Sequence, residues 1–185
     1  MTLSDHAALD RLLLERSVKR GHFVLASGRS SSFYVDARLT TMSAEGLVLI
    51  GRLGLAAIRE RGWAPRGVGG LTMGADPVAY AIAARSAAAP PVLNAFSVRK
   101  EAKAHGTGRR VEGNFASGDP VVVVEDVITT GGSALKAIEA LREEGGSILG
   151  ILAVVDREEG GRAKLEAAGW SVVALTTAAR LGLKP

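Results

Sequence analysis

Two adjacent carboxylates, Glu125 and Asp126, follow four consecutive valines and precede a turn of hydroxyls and glycines in the stretch VVVVEDVITTGGS, Val121 to Ser133. Neighbouring carboxylates repel each other unless a cation or hydrogen-bond donors lie between them. The vicinal hydroxyls of a ribose provide two donors at a suitable spacing. The turn Thr129, Thr130, Gly131, Gly132 and Ser133 offers a second chemistry. Its glycines let backbone N–H groups converge, its hydroxyls add side-chain donors, and a following helix presents its positive end to an anion. Acids and turn together suit a ligand that carries both a diol and a phosphate. Taken alone, the turn is equally a tight strand-to-helix connection capped by Ser and Thr. It also lacks the lysine of a P-loop, which argues against that kind of nucleotide triphosphate cleavage. The acidic pair is what favours a ligand, because two carboxylates placed directly after four apolar β residues are poorly explained as solvated surface.

A second cluster is Arg99-Lys100-Glu101-Ala102-Lys103-Ala104-His105-Gly106, with three fixed cations and a titratable histidine, followed by Gly108. A basic loop flanked by glycines can close over a polyanion, exclude water and strengthen its own electrostatics. The alternative is a solvated basic surface loop, which composition by itself favours. His6 and His22 have no comparable company and read as surface residues.

The elements that must position these residues follow from periodicity and breakers. Asp5 to Lys19 reads as a helix with Leu9, Leu12, Leu13 and Val18 on one stripe. Phe23–Leu25 and Phe33–Val35 read as short strands around the polar turn Ser27 to Ser32. Ser43 is an N-cap for a helix ending near Arg61 at Gly62, and Leu49 and Leu55 off its main face imply burial on more than one side. Gly67–Leu71 is a strand, 72–75 a turn, and Asp76-Pro77 reads as N-cap and N1 of an alanine-rich helix to about Ala88. Val92–Val98 is a strand, and 99–118 a long stretch without a clear period. Val121–Val124 is a strand buried on both faces, followed by a helix 133–144, a strand 148–155 ending at Asp156-Arg157, a short helix 161–168 and a strand 170–175. Strand and helix alternate from about residue 43, which predicts an α/β fold with a mostly parallel sheet covered on both faces. Ligands of such sheets bind at the carboxyl ends of the strands.

Bulk composition narrows the classes. A chain of 185 residues with 47% apolar content supports one sizeable core. The sequence shows no membrane-length apolar run and no signal-peptide pattern. The absence of cysteine excludes disulfides and thiolate metal sites. A net charge of +4 suits an anionic partner, while 4% aromatic content leaves little for stacking on single-stranded nucleic acid.

VVVVEDVITTGGS resembles the ribose-5-phosphate motif of the type I phosphoribosyltransferases, and RKEAKAHG resembles the mobile catalytic loop of the orotate phosphoribosyltransferases within that family. Ser27-Gly28-Arg29 with Phe33-Tyr34-Val35-Asp36, and Asp156-Arg157 after a strand, extend the resemblance over most of the chain. The phosphate motif marks the superfamily, and the basic loop is the more specific signal. The resemblance implies a type I phosphoribosyltransferase fold: a central, mostly parallel sheet flanked by helices, with a small amino-terminal hood drawn mainly from residues 1–40, all in a single domain spanning 1–185. It implies transfer of ribose 5-phosphate from phosphoribosyl pyrophosphate to orotate, giving orotidine 5′-monophosphate and pyrophosphate in pyrimidine biosynthesis.

By the same resemblance, Glu125 and Asp126 hold the ribose hydroxyls, and Val127 and Ile128 lead into Thr129–Ser133, which binds the 5-phosphate. The turn Leu71 to Gly74, with Thr72 and Met73, lies against the pyrophosphate. Arg99, Lys103 and His105 reach into the neighbouring subunit's site, and Lys100 serves its own, so these four are the expected catalytic residues. Phe33 and Tyr34 flank the pyrimidine ring together with Thr129, and Arg157 meets the orotate carboxylate. Mg²⁺ bridges pyrophosphate and ribose oxygens, held mainly through substrate with no direct protein ligand. A cytoplasmic homodimer with shared active sites follows, with neither nucleic acid nor membrane as partner.

Two features depart from the family pattern. Many members have lysine where Ala26 stands, and many bacterial members have one in the turn occupied here by Thr72-Met73. Arg29 and Arg38 are the cations available to compensate. The rival readings are a purine or uracil phosphoribosyltransferase and a regulator that senses phosphoribosyl pyrophosphate. The RKEAKAHG loop argues against both, and the first 20 residues supply one helix, not a DNA-binding module.

Overall fold

Valine, isoleucine and leucine alternate inward and outward along strands that are buried on both sides, so the chain needs helices on both faces of its sheet. The structure, a computed structural model, describes residues 3–24, 30–101 and 109–183. Its elements are α1 (Leu3–Arg16), β1 (Val18–Val24), β2 (Ser30–Val35), α2 (Arg38–Thr41), α3 (Ala44–Glu60), β3 (Gly67–Leu71) and α4 (Ala75–Ala87), then β4 (Asn94–Val98), β5 (Val111–Gly113), β6 (Pro120–Ile128), α5 (Gly132–Glu143), β7 (Ser147–Asp156), α6 (Gly161–Ala167) and β8 (Val172–Thr177). Six strands form one sheet in the order β5-β4-β3-β6-β7-β8, and β1 and β2 form a separate two-stranded sheet. Every neighbour pair in the large sheet is parallel except β4 with β5. Strand β6 divides the core between its faces. Val122 and Val124 join α1, α3 and α4 in one cluster, and Val121 and Val123 join α5 in the other. Among the described residues, no helix is long and apolar enough to cross a membrane.

The expected mostly parallel sheet with helices on both faces is present, with several corrected boundaries. Helix α1 stops at Arg16 and not near Lys19, and Val18 pairs with Val35 at the start of β1. The cause is tertiary: buried Ser17 bonds through its hydroxyl to that of Thr40 (2.7 Å), and its carbonyl accepts from the Asp36 N–H (2.9 Å). Ser30 to Ser32 belong to β2 and not to the turn. Ser43 caps α3 as expected, accepting from the Gly46 N–H, and Leu49 and Leu55 are buried along with the main face. Asp76 is not the N-cap of α4, which begins at Ala75 after Gly74. Part of the stretch 99–118 is ordered pairing: Val111–Gly113 runs antiparallel to β4. Glu144 holds that return, its carboxylate accepting from the N–H groups of Arg110 (2.8 Å) and Val111 (3.0 Å).

The glycines of β3, in Gly-Val-Gly-Gly-Leu, are required by close packing. A methyl group at Gly70 would overlap the Val124 carbonyl and come 2.8 Å from the Ala75 methyl at the start of α4. Gly70→Ala is therefore expected to lower stability by about 1–3 kcal/mol through overpacking. For a chain of this size that is a fall of roughly 2–12 °C in Tm, measurable by thermal unfolding; an unchanged Tm would show that β3 and β6 can separate without strain.

Candidate functional site

The carboxyl ends of four adjacent strands meet along one edge of the large sheet. Leu71 and Val98 are register partners, so the turn after β3 and the Arg99-Lys100 pair after β4 leave the sheet side by side. Gly69 pairs with Val123, which brings the turn after β3 beside the acidic pair of β6. Ile128 pairs with Asp156, so Thr129 and Arg157 also leave together.

Strand β6 continues through Glu125 and Asp126 to Ile128, so the acids lie within the strand and not past its end. Successive strand residues point to opposite faces. Glu125 faces α5 and the 129–133 turn, with which it lines a small cavity of about 30 Å³. Asp126 faces the 72–74 turn, packed so closely that a methyl at Gly74 would lie 2.6 Å from its Oδ1. Glu125 is 5% exposed, and its Oε1 has no hydrogen-bond partner among the described residues. Burial, reinforced by the Asp126 charge, pushes the Glu125 carboxyl up from 4.5 to about 8. Burial also raises Asp126, opposed by hydrogen bonding to the Val127 N–H (2.8 Å) and by the Arg38 charge. Arg38 is itself held by a fork onto Asp36 at 2.8 and 3.0 Å, which keeps the Asp36 carboxyl below its ordinary range.

The turn Thr129 to Gly131 ends in a left-handed Gly131 (φ 75°), which is the N-cap of α5. A side chain there would be strained and would meet Leu165 of α6. Gly132 and Ser133 open the helix, where the first N–H groups have no intrahelical acceptor, a geometry that suits an anion.

Thr72 and Met73 are joined by a cis peptide, and Met73 is 59% exposed. The Thr72 N–H donates to the Val98 carbonyl (2.8 Å), and its hydroxyl donates to Asp76 (2.7 Å). Arg99 is half-buried and Lys100 exposed; the Arg99 guanidinium lies 3.8 Å from the Glu112 carboxylate.

Arg157 is 3% exposed. Its guanidinium stacks on the Phe33 ring at 4.8 Å and pairs with Glu159 at 2.6 Å, with Ser31 at 3.4 Å. Its Nε has no partner among the described residues. The turn that aims it is held by Asp156, which accepts from the Glu158 N–H (2.8 Å), with Glu158 in the left-handed region at φ 58°. Phe33 and Tyr34 are consecutive in β2 and so lie on opposite faces of the small sheet. Phe33 is buried under Arg157, whereas Tyr34 is 39% exposed against Phe23, with ring centroids 5.8 Å apart.

The structure thus brings Glu125, Asp126, the 129–133 turn, Thr72, Met73, Arg99, Lys100 and Arg157 to one edge, and separates Phe33 from Tyr34. Lys103 and His105, along with Ala26, Ser27, Gly28 and Arg29, lie outside the described residues. Sequence reading missed Asp76 as a partner of the 72–74 turn and Glu159 as a partner of Arg157. It placed Arg38 no more firmly than Arg29. The Asp36-x-Arg38 and Arg157-x-Glu159 spacings were the available signals.

Residues 47–173 match the phosphoribosyl transferase domain family. The chain is 42% identical over 185 residues to the orotate phosphoribosyltransferase of Rhodopirellula baltica, covering 98% of this chain and 96% of that protein. It is 46% identical over 172 residues to the orotate phosphoribosyltransferase of Aquifex aeolicus, covering 91% and 93%. Among solved structures, Mycobacterium tuberculosis orotate phosphoribosyltransferase in complex with phosphoribosyl pyrophosphate matches with a TM-score of 0.82 at 40% identity, across 97% of this chain and 99% of that one. The Aeropyrum pernix orotate phosphoribosyltransferase matches with a TM-score of 0.80 at 36% identity, across 94% and 95%.

Proposed function

The chain belongs to the phosphoribosyltransferase family and, within it, to the orotate phosphoribosyltransferases, and on that premise we propose that it transfers ribose 5-phosphate from phosphoribosyl pyrophosphate to orotate. The products are orotidine 5′-monophosphate and pyrophosphate, in the cytoplasmic synthesis of UMP. The observation that carries this reading is the acidic pair straddling the tip of β6. Glu125 sits with the phosphate-binding turn on one face, and Asp126 with the 72–74 turn on the other. A ribose lying across that tip has its hydroxyls over the two acids, its 5-phosphate at the α5 turn and its pyrophosphate beside Thr72 and Met73.

In this reading an orotate ring nitrogen attacks the anomeric carbon as its bond to pyrophosphate breaks, the ring N–H proton passes to solvent, and the configuration inverts. Positive charge grows on the ribose and negative charge on the leaving group. Cations preorganised around the pyrophosphate stabilise that separation. Arg99 and Lys100 stand at the strand edge for this role, and Lys103 and His105 follow them in the sequence. Arg38, whose charge acts on Asp126, supplies a cation near a turn that here has no lysine. A Mg²⁺ ion would be held chiefly by substrate oxygens, with Glu125 and Asp126 as the nearby protein carboxylates. When bound, the ion would neutralise pyrophosphate charge. The hood is drawn mainly from residues 1–40, with β1 and β2 as its described strands, and Arg157, stacked on Phe33, is directed at the orotate carboxylate. A second copy of the chain completes the site. The exposed side chains Val48 and Tyr80 border a groove of about 650 Å³ between α3 and α4, and this face suits a dimer contact.

The direct test is an absorbance assay with phosphoribosyl pyrophosphate and Mg²⁺, offering orotate, uracil, hypoxanthine and adenine in parallel. Turnover of orotate alone is expected; turnover of a purine or uracil in its place refutes the assignment. Arg157→Lys replaces a planar fork by a point charge and removes the stack on Phe33. Losing one charge-assisted hydrogen bond predicts a rise in orotate KM of roughly 10- to 100-fold, with the KM for phosphoribosyl pyrophosphate little changed. An unchanged orotate KM would remove Arg157 from the base site.

A further inference from the structure

The Asp76 carboxylate accepts two hydroxyls, one on each oxygen. Thr72 Oγ1 donates to Oδ2 at 2.7 Å, and Ser97 Oγ donates to Oδ1 at 2.7 Å. The Tyr80 hydroxyl lies 3.0 Å from the same Ser97 oxygen. Asp76 is in the first turn of α4 and makes no capping bond there. A carboxylate placed so is not needed to start the helix. Beyond the β3–β4 ladder, which ends at Leu71 and Val98, it joins two segments: the 72–74 turn after β3, and the end of β4, where Ser97 precedes Arg99 and Lys100 by two and three residues.

We propose that Asp76 is the positioning residue of the pyrophosphate end of the site, setting the 72–74 turn and the root of the Arg99-Lys100 segment in register with each other. The inference rests on the phosphoribosyltransferase reading above. Three geometric facts support it. The turn carries no cation of its own, so its contribution must come from backbone placement, which a misplaced loop would lose. The Thr72 hydroxyl is committed to Asp76 and the Thr72 N–H to Val98, which orients the peptide that follows. On its other side the turn presses Gly74 against Asp126, so a shift of the turn also moves a ribose-binding acid. One carboxylate therefore holds the turn, the cation root and, through Gly74, the Asp126 side chain.

The test is steady-state kinetics of Asp76→Ala and Asp76→Asn with both substrates varied. Misplacement of about 1 Å costs on the order of 100-fold, so Asp76→Ala is expected to raise the KM for phosphoribosyl pyrophosphate about 10- to 100-fold, with orotate KM unchanged. Asp76→Asn keeps one acceptor oxygen and is expected to recover part of the loss. A folded Asp76→Ala protein with unchanged KM for phosphoribosyl pyrophosphate overturns the proposal. So does a variant in which both KM values move together with a fall in Tm, because that is the signature of a purely structural residue. If Asp76→Ala does not fold, Thr72→Val and Ser97→Ala remove the two hydroxyls separately: a selective rise in the same KM supports the proposal, and no rise in either overturns it. Failure of the wild-type chain to turn over phosphoribosyl pyrophosphate with any base refutes the function itself. An active wild type beside an unaffected Asp76→Ala refutes only this inference.

Discussion

Alanine at both Glu125 and Asp126 is expected to weaken binding of phosphoribosyl pyrophosphate by roughly 100- to 10,000-fold. Each carboxylate is assigned one hydrogen bond to a ribose hydroxyl, and above pH 8, where Glu125 is ionised, hydrogen bonds to charged groups contribute about 1.5–3 kcal/mol apiece. The fold is expected to survive. Glu125 is a buried acid with an oxygen that meets no partner among the described residues, and removing it relieves a desolvated group. Calorimetric titration measures the affinity, and an unchanged value would refute the ribose role of the pair.

Burial makes that binding pH-dependent. Because the Glu125 carboxyl sits near 8, ribose hydroxyls meet a better acceptor as pH rises through that value, and binding should tighten and release a proton. The window from pH 7 to 9 isolates the effect, since phosphate monoesters titrate near pKa ~6. The consequence for unliganded stability has the opposite sense. The native state holds a proton on Glu125 that the unfolded chain has already lost above 4.5, so stability falls as pH rises from 4.5 to about 8 and levels off beyond. Glu125→Gln should abolish the binding slope between pH 7 and 9 and reduce the stability slope, to which the raised Asp126 carboxyl also contributes; an unchanged binding slope would place that titration elsewhere.

Lys103→Ala is expected to lower kcat by about 100- to 1,000-fold, the size seen when one preorganised donor to a developing negative charge is removed. Tm should not change. Near-wild-type turnover by the purified variant would remove Lys103 from the leaving-group machinery. The same variant tests whether sites are shared. If Lys103 serves the neighbouring subunit, subunit exchange between Lys103→Ala and the Glu125→Ala, Asp126→Ala protein creates mixed dimers with one intact site. About a quarter of wild-type activity should then return from two inactive parents in a statistical mixture. No recovery would place Lys103 in its own subunit's site.

The sequence alone determined what depends on local chemistry and period. Val121–Val124 can only be a strand buried on both faces, Ser43 caps its helix, and Gly131 and Gly132 sit at the tight turn that opens α5. These signals lie within a few residues of one another, so no partner from far along the chain is needed to read them. The motif residues that converge on one sheet edge were legible for the same reason: alternating strand and helix put the carboxyl ends of the parallel strands β3, β4, β6 and β7 on the same side.

What tertiary structure alone decided is how those residues are oriented and supported. The continuation of β6 through Asp126 depends on pairing with β7, and that pairing turns two neighbouring acids to opposite faces, one toward each turn. The break at Ser17 depends on Thr40, Arg157 is directed by Phe33 and Glu159, and Asp76 is drawn from helix capping to Thr72 and Ser97. In the Ser17–Thr40, Phe33–Arg157 and Asp76–Ser97 contacts the partner lies 20 or more residues away in sequence, and such contacts form only when the sheet brings the segments together. Local propensity carries no record of them.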